Sequence, residues 1–174
     1  MKKILFTIVV AFSTYSFAQT AKSNGVTDCK ELKFWIKALQ TKLKTVDLTF
    51  NTKTGTFESK RKFKGFDITE YSVYEAGQQY HVKGINSAFK NPQSAREHFK
   101  KLIALIQDCD SKFSLQNDTY KDNETNGYCV VTKKLSTKTL LQIELIWDAN
   151  GLEDAYPENY IACAIYYSKK ITEE

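Results

Sequence analysis

The sequence has 174 residues, a formal net charge of +5 and 42% hydrophobic residues. Its length suits one domain that buries about two thirds of the surface exposed by its unfolded chain. It contains only two prolines and seven glycines, and no low-complexity run divides it. These features argue against a second domain joined by a flexible linker.

The first 18 residues have the layout of a cleavable secretory signal peptide. Lys2 and Lys3 give a positive start, residues 4–12 form an apolar run, and a short segment ending in Ala18 follows. A translocon and a signal peptidase recognise this order. The apolar run has about half of the ~20 residues that a membrane-spanning helix needs, so we expect cleavage after Ala18 rather than a membrane anchor.

Cleavage there sets the layout of the mature chain. We expect a flexible N-terminus over residues 19–27 and a single globular domain over residues 28–170. Loss of Lys2 and Lys3 lowers the formal charge from +5 to +3, a weak charge for a nucleic-acid partner. The expected protein is periplasmic or secreted, with no nucleic-acid partner, no cofactor and no stable membrane insertion after cleavage.

Two segments have the apolar spacing of amphipathic helices. The first runs from Asp28 to about Val46, with Thr27 or Asp28 as its cap, and the second begins at Asn91 and Pro92. The apolar stripes are Cys29, Leu32, Trp35, Ile36, Leu39 and Leu43 in the first helix, and Ala95, Phe99, Leu102, Ile103, Ile106 and Cys109 in the second.

Strand patterns fill the rest of the domain. Aromatic and β-branched residues from Phe66 to Val82 predict two or three strands between the helices, with a turn at residues 76–78. One later segment alternates strictly between apolar and polar residues, which indicates a sheet with one covered face. The four strands predicted after the second helix cover residues 113–120, 128–135, 140–147 and 160–167.

This order of elements predicts an α+β fold. Two helices pack on one face of a mainly antiparallel sheet, in the order α-β-β-(β)-α-β-β-β-β. Residues 30–39 and 96–105 share a few residue types at a constant offset of 66. A duplicated helix-plus-strands unit would explain both the order and the offset.

Four cysteines lie in the exported part, where an oxidising compartment allows disulfides to persist. Cys29 begins the first helical stripe and Cys109 ends the second, so antiparallel helices on one sheet face bring them together. Cys129 and Cys163 belong to predicted strands. We predict the disulfides Cys29–Cys109 and Cys129–Cys163, with four buried free thiols as the alternative. No CxxC element occurs, and we expect no metal site.

The connection over residues 148–158, here called the acidic loop, is long for a link between two adjacent strands. Long loops on rigid sheets are favoured places for recognition, and the alternative is an ordinary solvated loop. The candidate contact residues are Asp148, Asn150, Glu153, Asp154, Tyr156 and Glu158.

The two histidines are the candidate general bases. His81 alternates with Tyr80 and Val82 on a predicted strand, and we expect it to face solvent. His98 borders the apolar stripe of the second helix next to Glu97, which predicts a partly covered structural histidine. Neither belongs to a serine-elbow, HExxH or Cys-His signature.

A short polar segment matches the first half of a calcium loop, in which alternate oxygens surround the cation. Its residues are Asp122, Glu124, Asn126 and Gly127. The closing position is Lys133, which cannot supply the required bidentate carboxylate. We therefore expect a polar hairpin loop with an Asn126-Gly127 turn.

Residues 60–64, here called the basic segment, form the strongest charge run of the mature chain. Such a run can bind anionic polymers, including envelope glycans. Lysine-rich strand edges also block edge-to-edge pairing. The low net charge favours this second interpretation.

The sequence contains no catalytic or cofactor motif. We expect a non-enzymatic domain that engages a protein or an envelope component through an exposed sheet face and the acidic loop, with an inhibitor or immunity-type role as one version. Accessible aromatic residues are frequent interface anchors. The alternative is a small hydrolase that uses His98 with nearby carboxylates. That alternative requires a second polar side chain within hydrogen-bond reach of His98 in a concave site.

Overall fold

The computed structural model describes residues 27–52, 56–74, 79–86, 89–116, 120–151 and 158–169. The predicted signal peptide and the turn predicted at residues 76–78 lie outside these ranges. The elements are α1 (Cys29–Gln40), β1 (Thr49–Asn51), β2 (Thr56–Glu58), β3 (Ile68–Tyr74), β4 (Gln79–Asn86), α2 (Pro92–Cys109), β5 (Ser114–Leu115), β6 (Lys121–Asp122), β7 (Asn126–Ser136), β8 (Thr139–Asp148) and β9 (Tyr160–Lys169).

Both predicted helix starts are confirmed. The Asp28 carboxylate caps α1 by accepting a hydrogen bond from the Glu31 backbone N–H at 2.8 Å. The Asn91 side chain does the same for Ser94 at the start of α2, also at 2.8 Å, and Pro92 occupies the first turn. In each case a side-chain oxygen satisfies a backbone donor that has no partner within the helix.

The predicted end of the first helix is wrong. The helix stops at Gln40 instead of continuing to about Val46, because Lys42 and Leu43 adopt left-handed backbone conformations with φ of 57° and 58°. The Leu43 N–H donates to the Ala38 carbonyl at 2.7 Å across this turn. The turn still buries the Leu43 and Val46 side chains. The apolar spacing correctly predicted which residues are buried but not the local conformation.

The described strands form one antiparallel sheet in the order β1-β2-β3-β4-β9-β8-β7-β5, with β6 also paired to β7. Strands β4 and β9 meet in the middle, and each half of the chain runs from a sheet edge to this central pair. The two halves therefore follow the same path, consistent with a repeated helix-plus-strands unit.

Three details of the strand prediction differ from the structure. Strands β1 and β2 were not predicted, because each has three residues, too few to show an alternation. Of the strand predicted at residues 113–120, the described strand residues are Ser114–Leu115, and residues 117–119 lie outside the described ranges. Phe66 lies just before β3, buried against the core.

The predicted α+β class is confirmed, with both helices on one sheet face. Side chains from the two helices and from alternate positions of the long strands form one core. Its fully buried members include Trp35, Leu39, Phe99, Leu102, Ile143, Leu145, Trp147 and Ile165.

One of the two predicted disulfides forms. Cys29 and Cys109 are bonded, with their Cα atoms 5.3 Å apart. Cys129 and Cys163 are buried free thiols, so the second predicted pair is wrong. Both are register partners of Leu145, and a whole strand separates them. Two strand spacings amount to about 10 Å, beyond the ~7 Å that a disulfide can bridge between Cα atoms.

Candidate binding surface on the outer sheet face

The sheet face opposite the helices, here called the outer face, is covered only in part. Residues at its centre are almost fully buried, whereas those towards the β7–β8 side are half-exposed. The expected exposed face is therefore restricted to this side. The buried central residues are His81 and Ile85 on β4 and Tyr160, Ala162 and Ala164 on β9, and Val130 is a buried residue on β7.

The prediction that His81 faces solvent is wrong. Its side chain points away from Tyr80 and Val82, as the alternation requires, but it is only 7% exposed. Its register partner on β9 is Tyr166, whose ring lies 5.1 Å from the imidazole. Burial, and then the nearby Lys83 charge, lower the pKa of His81 to about 4. A neutral, enclosed imidazole of this kind is a packing residue.

A shallow cleft of about 490 Å³, here called the outer cleft, lies over β5, β7 and β8 on the half-exposed side. Most of its polar groups are neutral hydroxyls and amides, with aliphatic side chains between them. Gln116 donates to Thr132 at 2.7 Å within it, which fixes two of these groups. The lining residues are Gln116, Tyr128, Val130, Thr132, Lys134, Ser136, Thr137, Thr139, Leu140 and Gln142.

The chemistry of the outer cleft suits recognition. Burial, and then the Glu144 charge, raise the pKa of Tyr128, so its phenol stays protonated and can donate a hydrogen bond. The Gln142 amide is oriented by a 2.6 Å hydrogen bond to Glu144. The lining residues contain no histidine, cysteine or carboxylate. They can accept and donate hydrogen bonds beside an apolar strip, as the buried part of a protein interface does.

The described part of the acidic loop lies at the other end of β8. Asp148 ends that strand, and its carboxylate accepts a hydrogen bond from the Asn150 backbone N–H at 2.8 Å. Asn150 and Glu158 are exposed. The predicted contact residues Glu153, Asp154 and Tyr156 lie outside the described residues.

Backbone hydrogen bonds anchor both ends of the acidic loop. The Ala149 N–H donates to the Thr125 carbonyl at 2.8 Å, and the Asn159 N–H donates to the Ala149 carbonyl at 3.2 Å. The loop therefore leaves the sheet beside the turn between β6 and β7. Six residues of β8 separate Gln142 in the outer cleft from Asp148, a distance of about 20 Å along the strand.

The described candidates for hydrolysis, His98 and Glu97, are not paired with each other, and the loop carboxylates Glu153 and Asp154 lie outside the described residues. The His98 ring is half-buried and lies 5.1 Å from the Phe89 ring. Burial, and then Lys101, lower its pKa. Glu97 is exposed and accepts a hydrogen bond from Gln93 at 3.2 Å. His98 makes no hydrogen bond to another described side chain, so the arrangement required for the hydrolase is not found here.

In the segment that resembles the first half of a calcium loop, Asp122 forms ion pairs with the second helix. The Asp122 carboxylate is 7% exposed and receives Arg96 at 2.7 and 3.2 Å and Lys100 at 3.0 Å. These cations lower its pKa, against the opposing effect of burial. The predicted hairpin is present, but both Asn126 and Gly127 belong to β7 rather than to the turn, which covers residues 123–125. The described residues contain no cluster of three or more potential metal ligands.

The basic segment does not protect a strand edge, and that interpretation is wrong. It connects β2 to β3 and packs against α1. Arg61 pairs with the buried Glu31 carboxylate, which also accepts the Lys64 backbone N–H at 3.0 Å. Phe63 is completely buried between Trp35 and neighbouring rings. Arg61, Phe63 and the Lys64 backbone thus hold this segment against the first helix, whereas the side chains of Lys60, Lys62 and Lys64 are exposed.

The sequence did not predict the outer cleft. The usable signal was that polar residues occupy alternate positions on two adjacent predicted strands, but the register between these strands could not be read from the sequence.

Neither a protein-family model nor a curated protein matches this chain. Within the described ranges, no helix is long and apolar enough to cross a membrane. The Cys29–Cys109 disulfide fits an oxidising compartment.

Proposed function

We propose that the mature chain is an exported, non-enzymatic domain that binds a partner protein through the outer cleft and the adjoining part of the outer face. The observation that carries the proposal is the lining of that cleft, in which hydroxyl and amide groups, together with the single ammonium group of Lys134, flank Val130 and Leu140. Buried interface centres are depleted in charge and combine apolar contacts with hydrogen bonds.

The size of the surface supports a macromolecular partner. The outer cleft is shallow, and the acidic loop begins about 20 Å away on the same face. A protein interface of standard size covers about 800 Å² per partner, enough to span both features. An envelope protein, including a target of an inhibitor or immunity-type domain, is the partner class that this surface fits.

Differential capture tests the proposal. Oxidised mature protein is used to capture envelope proteins, with Thr139→Arg as the cleft variant and Gln107→Arg as the control. Thr139 lines the outer cleft and Gln107 is exposed on α2 on the opposite face. A partner retained by wild type and Gln107→Arg but lost with Thr139→Arg supports the proposal. Its affinity for the purified proteins should then be similar for wild type and Gln107→Arg and weaker for Thr139→Arg.

Two outcomes would overturn it. Equal capture by all three forms would remove the outer cleft as the binding surface. A partner lost only when Asn150, at the base of the acidic loop, is replaced by Arg would move the site to the loop alone. Intact mass of protein from its native source checks export separately, because cleavage after Ala18 leaves a chain beginning at Gln19.

A further inference from the structure

A second cleft lies on the helix side of the sheet and is unrelated to the proposed function. This helix cleft has a volume of about 360 Å³ and is bounded by α1, the end of α2 and β7. That volume lies in the range of small-molecule sites. Its apolar floor consists of the half-buried Ile36 and, beneath it, the buried Leu32, Ile106, Phe113 and Ile143.

The rim of the helix cleft is mainly cationic. Lys33 and Lys37 stand on α1 and are exposed, and neither forms an ion pair with a described residue. Across the cleft, Lys133 is paired with Asp110. The three ammonium groups therefore face one carboxylate, that of Asp110, which is already paired with Lys133.

The two lysines on α1 are four residues apart, so they are neighbours on the helix surface. Like charges at this spacing repel and destabilise a helix slightly. An anion placed between them would relieve that repulsion. The apolar floor below them would at the same time remove a hydrocarbon chain from water.

We propose that the helix cleft binds an amphiphilic carboxylate, with its acyl chain on the apolar floor and its carboxylate between Lys33 and Lys37. An apolar lining with a few convergent charges is the usual composition of a small-molecule site. The charge of the rim excludes a cationic amphiphile of the same length.

Decanoate is the probe, used with oxidised mature protein below the concentration at which it self-associates. Isothermal titration gives the Kd, and methyl shifts of Ile106 and Ile143 locate the ligand. Octanoate should bind more weakly than decanoate, because its shorter chain loses less contact with water on the apolar floor. Decyltrimethylammonium should not displace decanoate.

Paired variants test the charged rim. Lys33→Gln with Lys37→Gln should weaken decanoate binding by about tenfold. Lys42→Gln with Lys44→Gln removes the same charge outside the cleft and should leave the Kd within about twofold. Absence of saturable binding, equal loss in both double variants, or shifts confined to the outer face would each overturn the proposal. All these variants leave the outer cleft intact, so the partner-capture result is independent of them.

Discussion

Breaking the Cys29–Cys109 disulfide should cause a large loss of stability. The bond joins residues 80 positions apart and ties the start of α1 to the end of α2. In the chain-entropy model, a cross-link of this span reduces the entropy of the unfolded chain by an amount worth about 4.5 kcal/mol at 25 °C. Since small domains have unfolding free energies of about 5–15 kcal/mol, the bond supplies a substantial part of the total.

Urea unfolding of wild type and a Cys29→Ser/Cys109→Ser variant measures this contribution. The variant should lose about 4 kcal/mol, and its m-value should rise because its unfolded chain exposes more surface. A reductant provides the matched control: it should lower the stability of wild type and leave the variant unchanged. A loss below about 1 kcal/mol, or an equal response of both proteins to reductant, would refute the reasoning.

Thiol counting checks the same pairing chemically. Unfolded, unreduced protein should alkylate at two cysteines, and unfolded, reduced protein at four. Native protein should resist alkylation, because Cys129 and Cys163 are buried and burial raises the pKa of Cys129 to about 12. Four reactive thiols without reduction would contradict the disulfide, and none would mean that the two strand cysteines also pair.

Three further changes test the packing. Gly127→Ala should cost about 3 kcal/mol, because its Cβ would lie 2.1 Å from Nε1 of the buried Trp147, and urea unfolding measures the loss. His81→Gln should flatten the pH profile of stability. Burial lowers the folded-state pKa of His81 to about 4, so in wild type the unfolded chain alone gains a proton below about pH 6.5, and stability falls by about 3 kcal/mol towards pH 4. Glu31→Ala should cost about 2 kcal/mol by leaving the buried Trp35 indole N–H, now bonded to Glu31 at 2.8 Å, without an acceptor.

Each of these changes has a contrary outcome. A Gly127→Ala protein as stable as wild type would show that the sheet can move away from the indole. An unchanged slope between about pH 6.5 and 5 in His81→Gln would mean that the imidazole titrates normally in the native state. If Glu31→Ala loses no more stability than the exposed Glu97→Ala variant, the contacts between the basic segment and Glu31 do not stabilise the fold.

Local patterns predicted a large part of the fold. Helix starts were readable because Asp28 and Asn91 act on backbone groups three residues away. Strand β8 was readable because apolar and polar residues alternate along it, and β7 and β9 because they are rich in β-branched and aromatic residues. The Cys29–Cys109 disulfide followed from placing one cysteine at each end of two antiparallel stripes.

Three of the failures involve contacts between distant segments. The packing of the basic segment against α1 depends on Glu31, thirty residues away from Arg61. The Cys129–Cys163 pair failed because strand order places β8 between the two cysteines. His81 was assigned to the correct face, but its burial depends on the sheet assembled around it.

The sequence by itself determined the α+β class, the helix starts and the residues of the core, because these depend on spacing along the chain. Only the tertiary structure decided the strand order, the remaining free thiols and the positions of the two clefts. Strand pairing joins segments whose register no local pattern records, and a one-residue shift would exchange the two faces of the sheet. The outer cleft and the helix cleft exist because that register puts half-polar residues on one side of β7 and β8, and apolar residues beneath two lysines on the other.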